Sequence, residues 1–177
     1  MHNTQSLSPI TSYVPPVVKF NKRIFDIIFA SLALLMLLPL LPFLALAIKL
    51  DSKGPVFYKQ TRLGRSKTTQ NKLFTIIKFR TMFTDAEANG VAQLAGEDDP
   101  RITPVGRFLR KTRFDETPQL LNVLIGDMSL IGPRPERPEL SSEIEKRRPF
   151  FNERTYDVLP GLTGLAQVNQ SYQGDCS

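Results

Sequence analysis

Residues 27–48, IIFASLALLMLLPLLPFLALAI, form an unbroken apolar run without a single charge. The run is long enough to be a transmembrane candidate. It starts too late for a cleaved signal, lacks a clear small-residue cleavage site and runs into KLDSKGPVF. Pro39 and Pro42 lie in its middle, where each removes a helix hydrogen bond and clashes with the preceding turn. The arm before Pro39 reaches roughly 18 Å at helical rise, short of a hydrocarbon core of roughly 30 Å. Lys19, Lys22 and Arg23 precede the run, and Lys49, Lys53, Lys59, Arg62 and Arg65 follow it. A spanning helix puts one basic flank on the wrong side, whereas a helix broken at Leu38-Pro39 that dips and returns keeps both cytoplasmic. A proline-kinked spanning helix stays open, since membranes tolerate such prolines. The length of the run disfavours a buried helix of a soluble core.

Beyond the run the periodicity changes. GPVFYKQTRLG and KLFTIIKFRTM are β-branched and aromatic stretches flanking a polar, basic loop, and they predict a small hairpin. Lys78 and Arg80 are two apart, share a strand face and are candidates to grip one anion. GRSKTT lacks the first glycine and the Gly-Lys pair of a phosphate loop. DAEANGVAQLAGEDDPRIT is polar, acidic and rich in turn signals, so a mobile surface connector is expected. VGRFLRKTR then predicts a short helix with Arg107, Arg110 and Lys111 on its polar side.

DETPQLLNVLIGD has the marks of a helix start: Asp115 can cap, Pro118 suits the first turn, and Gly126 follows the apolar face. Capping needs one carboxylate, yet Asp115 and Glu116 stand side by side after a basic run. In MSLIGPRPERPE, Gly132, Pro133, Pro135 and Pro138 fix an extended path that displays Arg134, Glu136 and Arg137. A rigidly held arginine suits bidentate phosphate capture; a stiff surface linker is the plain alternative. EIEKRRPFFNER predicts a charged, interfacial helix, and Pro160-Gly161 a type II turn.

Composition removes several chemistries. His2 is the only histidine and Cys176 the only cysteine, which excludes Cys–His and Ser–His pairs, zinc clusters and disulfide frameworks. Covalent chemistry would have to use a carboxylate, hydroxyl or lysine. The formal net charge of +6 favours anionic partners. No nucleic-acid motif is present, and such a role does not explain the apolar run. The economical assembly is a membrane-dipping segment holding a basic domain at the leaflet. There Lys78, Arg80, Arg110 and Arg134 converge on phosphate beside Asp115 and Glu116, which a helix N-terminus keeps ionised. Two such carboxylates can hold Mg²⁺ with phosphate oxygens, or one can attack phosphorus while the other holds the metal.

KFRTM, FLRKTRFDETPQLLNVLIGDMSLIGPRPE and PGLTGLAQVN, in that order, resemble the bacterial sugar transferase family, monotopic polyprenyl-phosphate phosphoglycosyl transferases. With the upstream KRIFDIIFASLALLMLLPLLPFLALAIKLDSKGPVFYKQTRLG, the similarity covers about residues 19–170. It implies an α+β, mostly helical fold at the inner membrane, its catalytic domain on the cytoplasmic face. The parts are a re-entrant helix broken at Pro39, a small β-hairpin and interfacial amphipathic helices. The division is a tail (1–18), the membrane helix (19–50) and a catalytic domain (51–177). By analogy Asp115 attacks the β-phosphate of a UDP-sugar and expels UMP, and polyprenyl (undecaprenyl) phosphate then takes the phosphosugar. Glu116, with Asp115 beside it, would bind Mg²⁺, and Arg110 and Arg134 match phosphate- or nucleotide-contacting positions. GPRPERPE is most similar to the exopolysaccharide branch. The chain departs from the family at Leu38 (usually Ser), Leu165 (usually Trp) and Gln170 (usually Gly), and it ends earlier. Truncation at the C-terminus is therefore expected, with an inactive membrane-bound scaffold of the same fold as the alternative.

Overall fold

The computed structural model describes residues 14–66, 71–86, 96, 99–148 and 151–169. Helix α1 (Pro16–Leu37) begins with proline at its first position, where no intrahelical donor is lost. It ends at the predicted break, and α2 (Leu41–Asp51) sets off at 64° to it. Pro39 lies in the turn between them, while Pro42 occupies the first turn of α2, where a missing N–H is harmless. Among the described residues no single helix is long and apolar enough to cross a membrane.

The hairpin follows as β1 (Phe57–Ser66) and β2 (Asn71–Phe79), antiparallel, with Tyr58 opposite Lys78 and Arg62 opposite Phe74. Helix α3 (Pro104–Lys111) is capped by Thr103, whose hydroxyl accepts from the Gly106 N–H at 3.0 Å. A 3-10 helix (Phe114–Gln119) leads into α4 (Leu120–Ile125), which Gly126 ends in the left-handed region at φ 100°. Strand β3 (Ser129–Ile131), α5 (Pro138–Arg147), a second 3-10 helix (Phe151–Thr155), β4 (Gly161–Thr163) and α6 (Leu165–Asn169) complete the order. The expected α+β, helix-rich organisation is present. The tail before residue 14 and most of the predicted acidic connector lie outside the described residues.

Two apolar clusters join the apolar run to the rest. Ala30 of α1 is fully buried with Phe74, Ile76, Leu120, Val123 and Met128, and Ala33, Leu34 and Leu37 pack against the same group. Leu44 and Ile48 of α2 pack with Phe79 and Leu109. The outer face is left bare: Leu35, Met36 and Leu50 are 67%, 80% and 78% exposed, with Phe25, Phe29, Phe43 and Leu46 beside them along the two helices. So large a contiguous apolar face marks a membrane or partner surface.

The basic flanks are more than topology signals. The Arg23 guanidinium donates to the carbonyls of Val123 and Leu124 (2.7 Å to Leu124), closing the C-terminus of α4. Lys19 pairs with Asp157, and Lys22 donates to the Ser129 hydroxyl. Asp26, buried inside α1, accepts from the Ser129 hydroxyl and the Leu130 N–H, each at 3.0 Å. At the other end, Asp51 accepts from the Val105 N–H at 3.2 Å. Both ends of the broken pair are therefore fastened to one folded unit.

Two local expectations are corrected. The first concerns Pro160-Gly161, which is not a type II turn, because Gly161 lacks the positive φ such a turn demands. Gly161 opens β4, which runs parallel to β3. A Cβ there would lie 2.1 Å from the Gly132 nitrogen, so glycine serves backbone approach. The second concerns Asp115, which makes no capping hydrogen bond: the N-cap is Arg113, and both acids lie inside the 3-10 turn.

Candidate active site

The site begins with an unusual backbone residue. Arg113 adopts φ 61°, a left-handed conformation rare for a branched-out side chain, between α3 and the 3-10 helix. That reversal turns Asp115 and Glu116 inward, 6% and 8% exposed. Lys78, near the end of β2, donates to Glu116 Oε1 at 2.7 Å. Arg134 brings a guanidinium nitrogen to 3.9 Å from the same oxygen. Both cations converge on Oε1.

The two adjacent acids titrate in opposite directions. Burial pushes the Asp115 carboxyl up to about 6, against the pull of Lys78, with the neighbouring Glu116 charge adding to the rise. Arg110 and Arg113 oppose that rise more weakly. The expectation that a helix N-terminus dominates Asp115 is thus corrected: desolvation outweighs it. Burial would also raise Glu116, but the Lys78 ammonium and the Arg134 guanidinium overcome it and hold that carboxyl below its ordinary range. Adjacent acids with separated affinities are the usual arrangement where two carboxyls take different roles.

A small open cleft lies on the Glu116 side, lined by Arg62, Lys78, Glu116, Gln119, Arg134 and Gln167 among others. Three cations face one carboxylate there, a balance suited to a dianion. Arg134 is presented as the proline-rich path predicts. Leu63 N–H bonds Glu136 O at 2.9 Å, the Arg62 guanidinium donates to Pro135 O at 3.2 Å, and Gly161 N–H bonds Pro133 O at 2.9 Å.

Of the predicted residues, Asp115, Glu116, Lys78 and Arg134 come together. Arg110 lies within electrostatic reach of Asp115, and one of its buried guanidinium nitrogens has no hydrogen-bond partner among the described residues. Arg80 does not join them. Its buried guanidinium donates to Ser52 O (2.6 Å), Lys53 O (2.9 Å) and Ile48 O (3.2 Å), closing the C-terminus of α2. The shared-face expectation is corrected: β2 ends at Phe79, so Arg80 lies past the strand, and unsatisfied helix carbonyls captured its side chain. Pro39 marks the bend and lies far along the helix pair from this chemistry in sequence alone. Arg62, Gln119 and Gln167 were not anticipated. Arg62 was findable: with Tyr58 opposite Lys78, period-two alternation puts it on the Lys78 face. Burial and the nearby Arg134 lower its pKa to about 10. Gln119 carries a weaker signal, three residues after Glu116, and Gln167 only its place in the PGLTGLAQVN stretch.

The family model for bacterial sugar transferases matches residues 17–177. The chain belongs to the bacterial sugar transferase family. It is 43% identical over 99% of its length to a UDP-N-acetylgalactosamine-undecaprenyl-phosphate N-acetylgalactosaminephosphotransferase of Aeromonas hydrophila, covering 39% of that protein. It is 48% identical, over 83% of its length, to an exopolysaccharide production protein of Rhizobium leguminosarum bv. phaseoli, covering 72% of it. A UDP-glucose:undecaprenyl-phosphate glucose-1-phosphate transferase of Caulobacter vibrioides is 47% identical over 85% of the chain, with 54% of that relative covered. This sugar transferase chain therefore spans well under half of the Aeromonas relative it matches almost end to end.

Proposed function

We propose that the chain is a phosphoglycosyl transferase that moves a sugar-1-phosphate from a UDP-sugar to polyprenyl phosphate, the opening step of exopolysaccharide or glycoconjugate assembly. The observation that carries this reading is the buried Asp115 beside Glu116, itself held by Lys78 and Arg134. An Asp115 oxygen attacks the β-phosphorus of the donor. The bond from that phosphorus to the bridging oxygen breaks, and UMP leaves with the electron pair. A phosphate oxygen of the polyprenyl acceptor then attacks the same phosphorus and returns the carboxylate to Asp115. At neutral pH a carboxyl titrating near 6 is mostly ionised and, being desolvated, is a competent nucleophile. Lys78, Arg134 and Arg62 offset charge on the diphosphate.

Glu116, with Asp115, is the donor set for Mg²⁺. Lys78 and Arg134 both approach Glu116 at Oε1, and the carboxylate would supply one protein ligand to the metal. Among the described residues no cluster of three acids, cysteines or histidines exists, so the remaining ligands would be phosphate oxygens and water. Bound there, Mg²⁺ would offset diphosphate charge.

The re-entrant reading of α1 and α2 belongs to the same proposal. The 64° bend, the bare apolar outer face and the fastening of both ends to one unit support a helix pair that enters and leaves the inner membrane from the cytoplasmic side. A polyprenyl acceptor confined to that leaflet is then delivered close to the site.

The test is intact mass after incubation with Mg²⁺ and a panel of UDP-sugars without lipid acceptor, beside Asp115→Asn. A phosphosugar mass gain with UMP release, in the parent only, is expected. A folded parent giving neither adduct nor UMP with any donor overturns the proposal in favour of an inactive scaffold.

A further inference from the structure

Three cations and one carboxylate line the cleft beside Glu116, and two neutral amides also face it. Gln119 is 3% exposed and lines the cleft. The Gln167 Nε2 donates to Leu162 O at 3.1 Å, which fixes the amide's orientation. Its Oε1 is then buried without a hydrogen-bond partner among the described residues. A buried acceptor left unmet is unfavourable until a donor arrives.

Phosphate cannot be that donor, because its oxygens are acceptors and Arg62, Lys78 and Arg134 already serve them. A neutral O–H or N–H close to the diphosphate would meet this acceptor. We propose that Gln119 and Gln167 form a neutral recognition subsite next to the diphosphate position, hydrogen-bonding a hydroxyl or imide N–H of the bound nucleotide sugar. The proposal rests on the donor being a nucleotide sugar, as above, and adds the residues that read its uncharged part. A hexose hydroxyl and a nucleoside O–H or N–H share this chemistry, and the hexose and the nucleoside flank the diphosphate on its two sides. A site that hydrogen-bonds such a group discriminates against donors that lack it, because its own polar atoms are then left unpaired.

The test measures binding of inorganic pyrophosphate, UDP, UDP-glucose and UDP-N-acetylgalactosamine to the full chain in detergent with Mg²⁺. Gln119→Met and Gln167→Met are compared with the parent, and thermal melting confirms that each variant is folded. Losing one such hydrogen bond should weaken UDP-sugar binding about 10-fold. Pyrophosphate binding should stay within about 2-fold, a split that general damage to the cleft would not give. An equal loss for UDP assigns the amides to the nucleoside; a loss confined to the UDP-sugars, or to one of them, assigns them to the hexose. Folded variants that bind every ligand like the parent, or that lose pyrophosphate equally, overturn the subsite alone. A parent that binds pyrophosphate but neither UDP nor UDP-sugar overturns the donor assignment and the subsite with it.

Discussion

Lys78 donates to Glu116 Oε1 across 2.7 Å, and both side chains are largely buried, at 16% and 10% exposure. The contact joins the end of the hairpin to the 3-10 turn that carries the acids. It separates the two carboxyls chemically: Glu116 has an ammonium against it, and Asp115 has mostly burial.

Lys78→Met should therefore damage both chemistry and stability. Removing one partner of a buried pair costs about 3 kcal/mol, tempered here by Arg134 at 3.9 Å. UMP release should fall about 100-fold, as when a charge-stabilising donor is lost. Thermal melting and a UMP-release assay check both. Activity within a few-fold of the parent would remove Lys78 from the site.

Asp115→Asn should abolish transfer yet stabilise the fold at neutral pH. The Asp115 carboxyl is raised to about 6 from 3.8, so its protonated form is the one the folded state prefers. Its contribution is most favourable below the unfolded value and is lost as pH rises through about 6. The full penalty is about 3 kcal/mol for a shift of this size. The stability gap between the Asn variant and the parent should widen from pH 4 to pH 7 and then level off. Phosphosugar adduct formation in the parent should rise over the upper part of that range. A gap independent of pH would contradict the assigned shift.

Arg80→Lys should behave as a folding lesion. One ammonium cannot reproduce a planar guanidinium reaching Ser52, Lys53 and Ile48 carbonyls together. The expected loss is about 2 kcal/mol, the scale of one charge-assisted hydrogen bond and a partly unmet carbonyl. Measured in detergent, the melting temperature should drop while the affinity for pyrophosphate stays near that of the parent. A selective loss of pyrophosphate would return Arg80 to the anion site.

Cysteine placed at Val18 or Lys53, in a Cys176→Ser background, tests the membrane arrangement. Both positions are exposed and lie on either side of the apolar run 27–48. Both should react with an impermeant maleimide in inverted vesicles and neither in intact spheroplasts. Labelling from opposite sides would establish a kinked spanning helix.

Much of this architecture is written locally. Pro39 ends α1 because a ring without an N–H cannot continue the ladder, and β-branched residues on either side of a polar loop pair as a hairpin. The doubled acid and the proline-framed Arg134 are visible for the same reason: their meaning depends on neighbours in sequence. Arg80 shows where that logic stops. It falls one residue past the end of β2, and its destination depended on the end of α2 lying alongside, a contact between residues about thirty positions apart.

The sequence by itself determined the broken apolar helix pair, the hairpin, the absence of histidine and thiol chemistry near the acids, and the acids themselves, because composition and short-range sterics decide those. Tertiary structure alone decided which cations reach Glu116, why burial lifts Asp115 while Glu116 is held down, and that Arg62, Gln119 and Gln167 share one cleft. Those are consequences of desolvation and side-chain reach across segments far apart in the chain, which no local pattern of residues encodes.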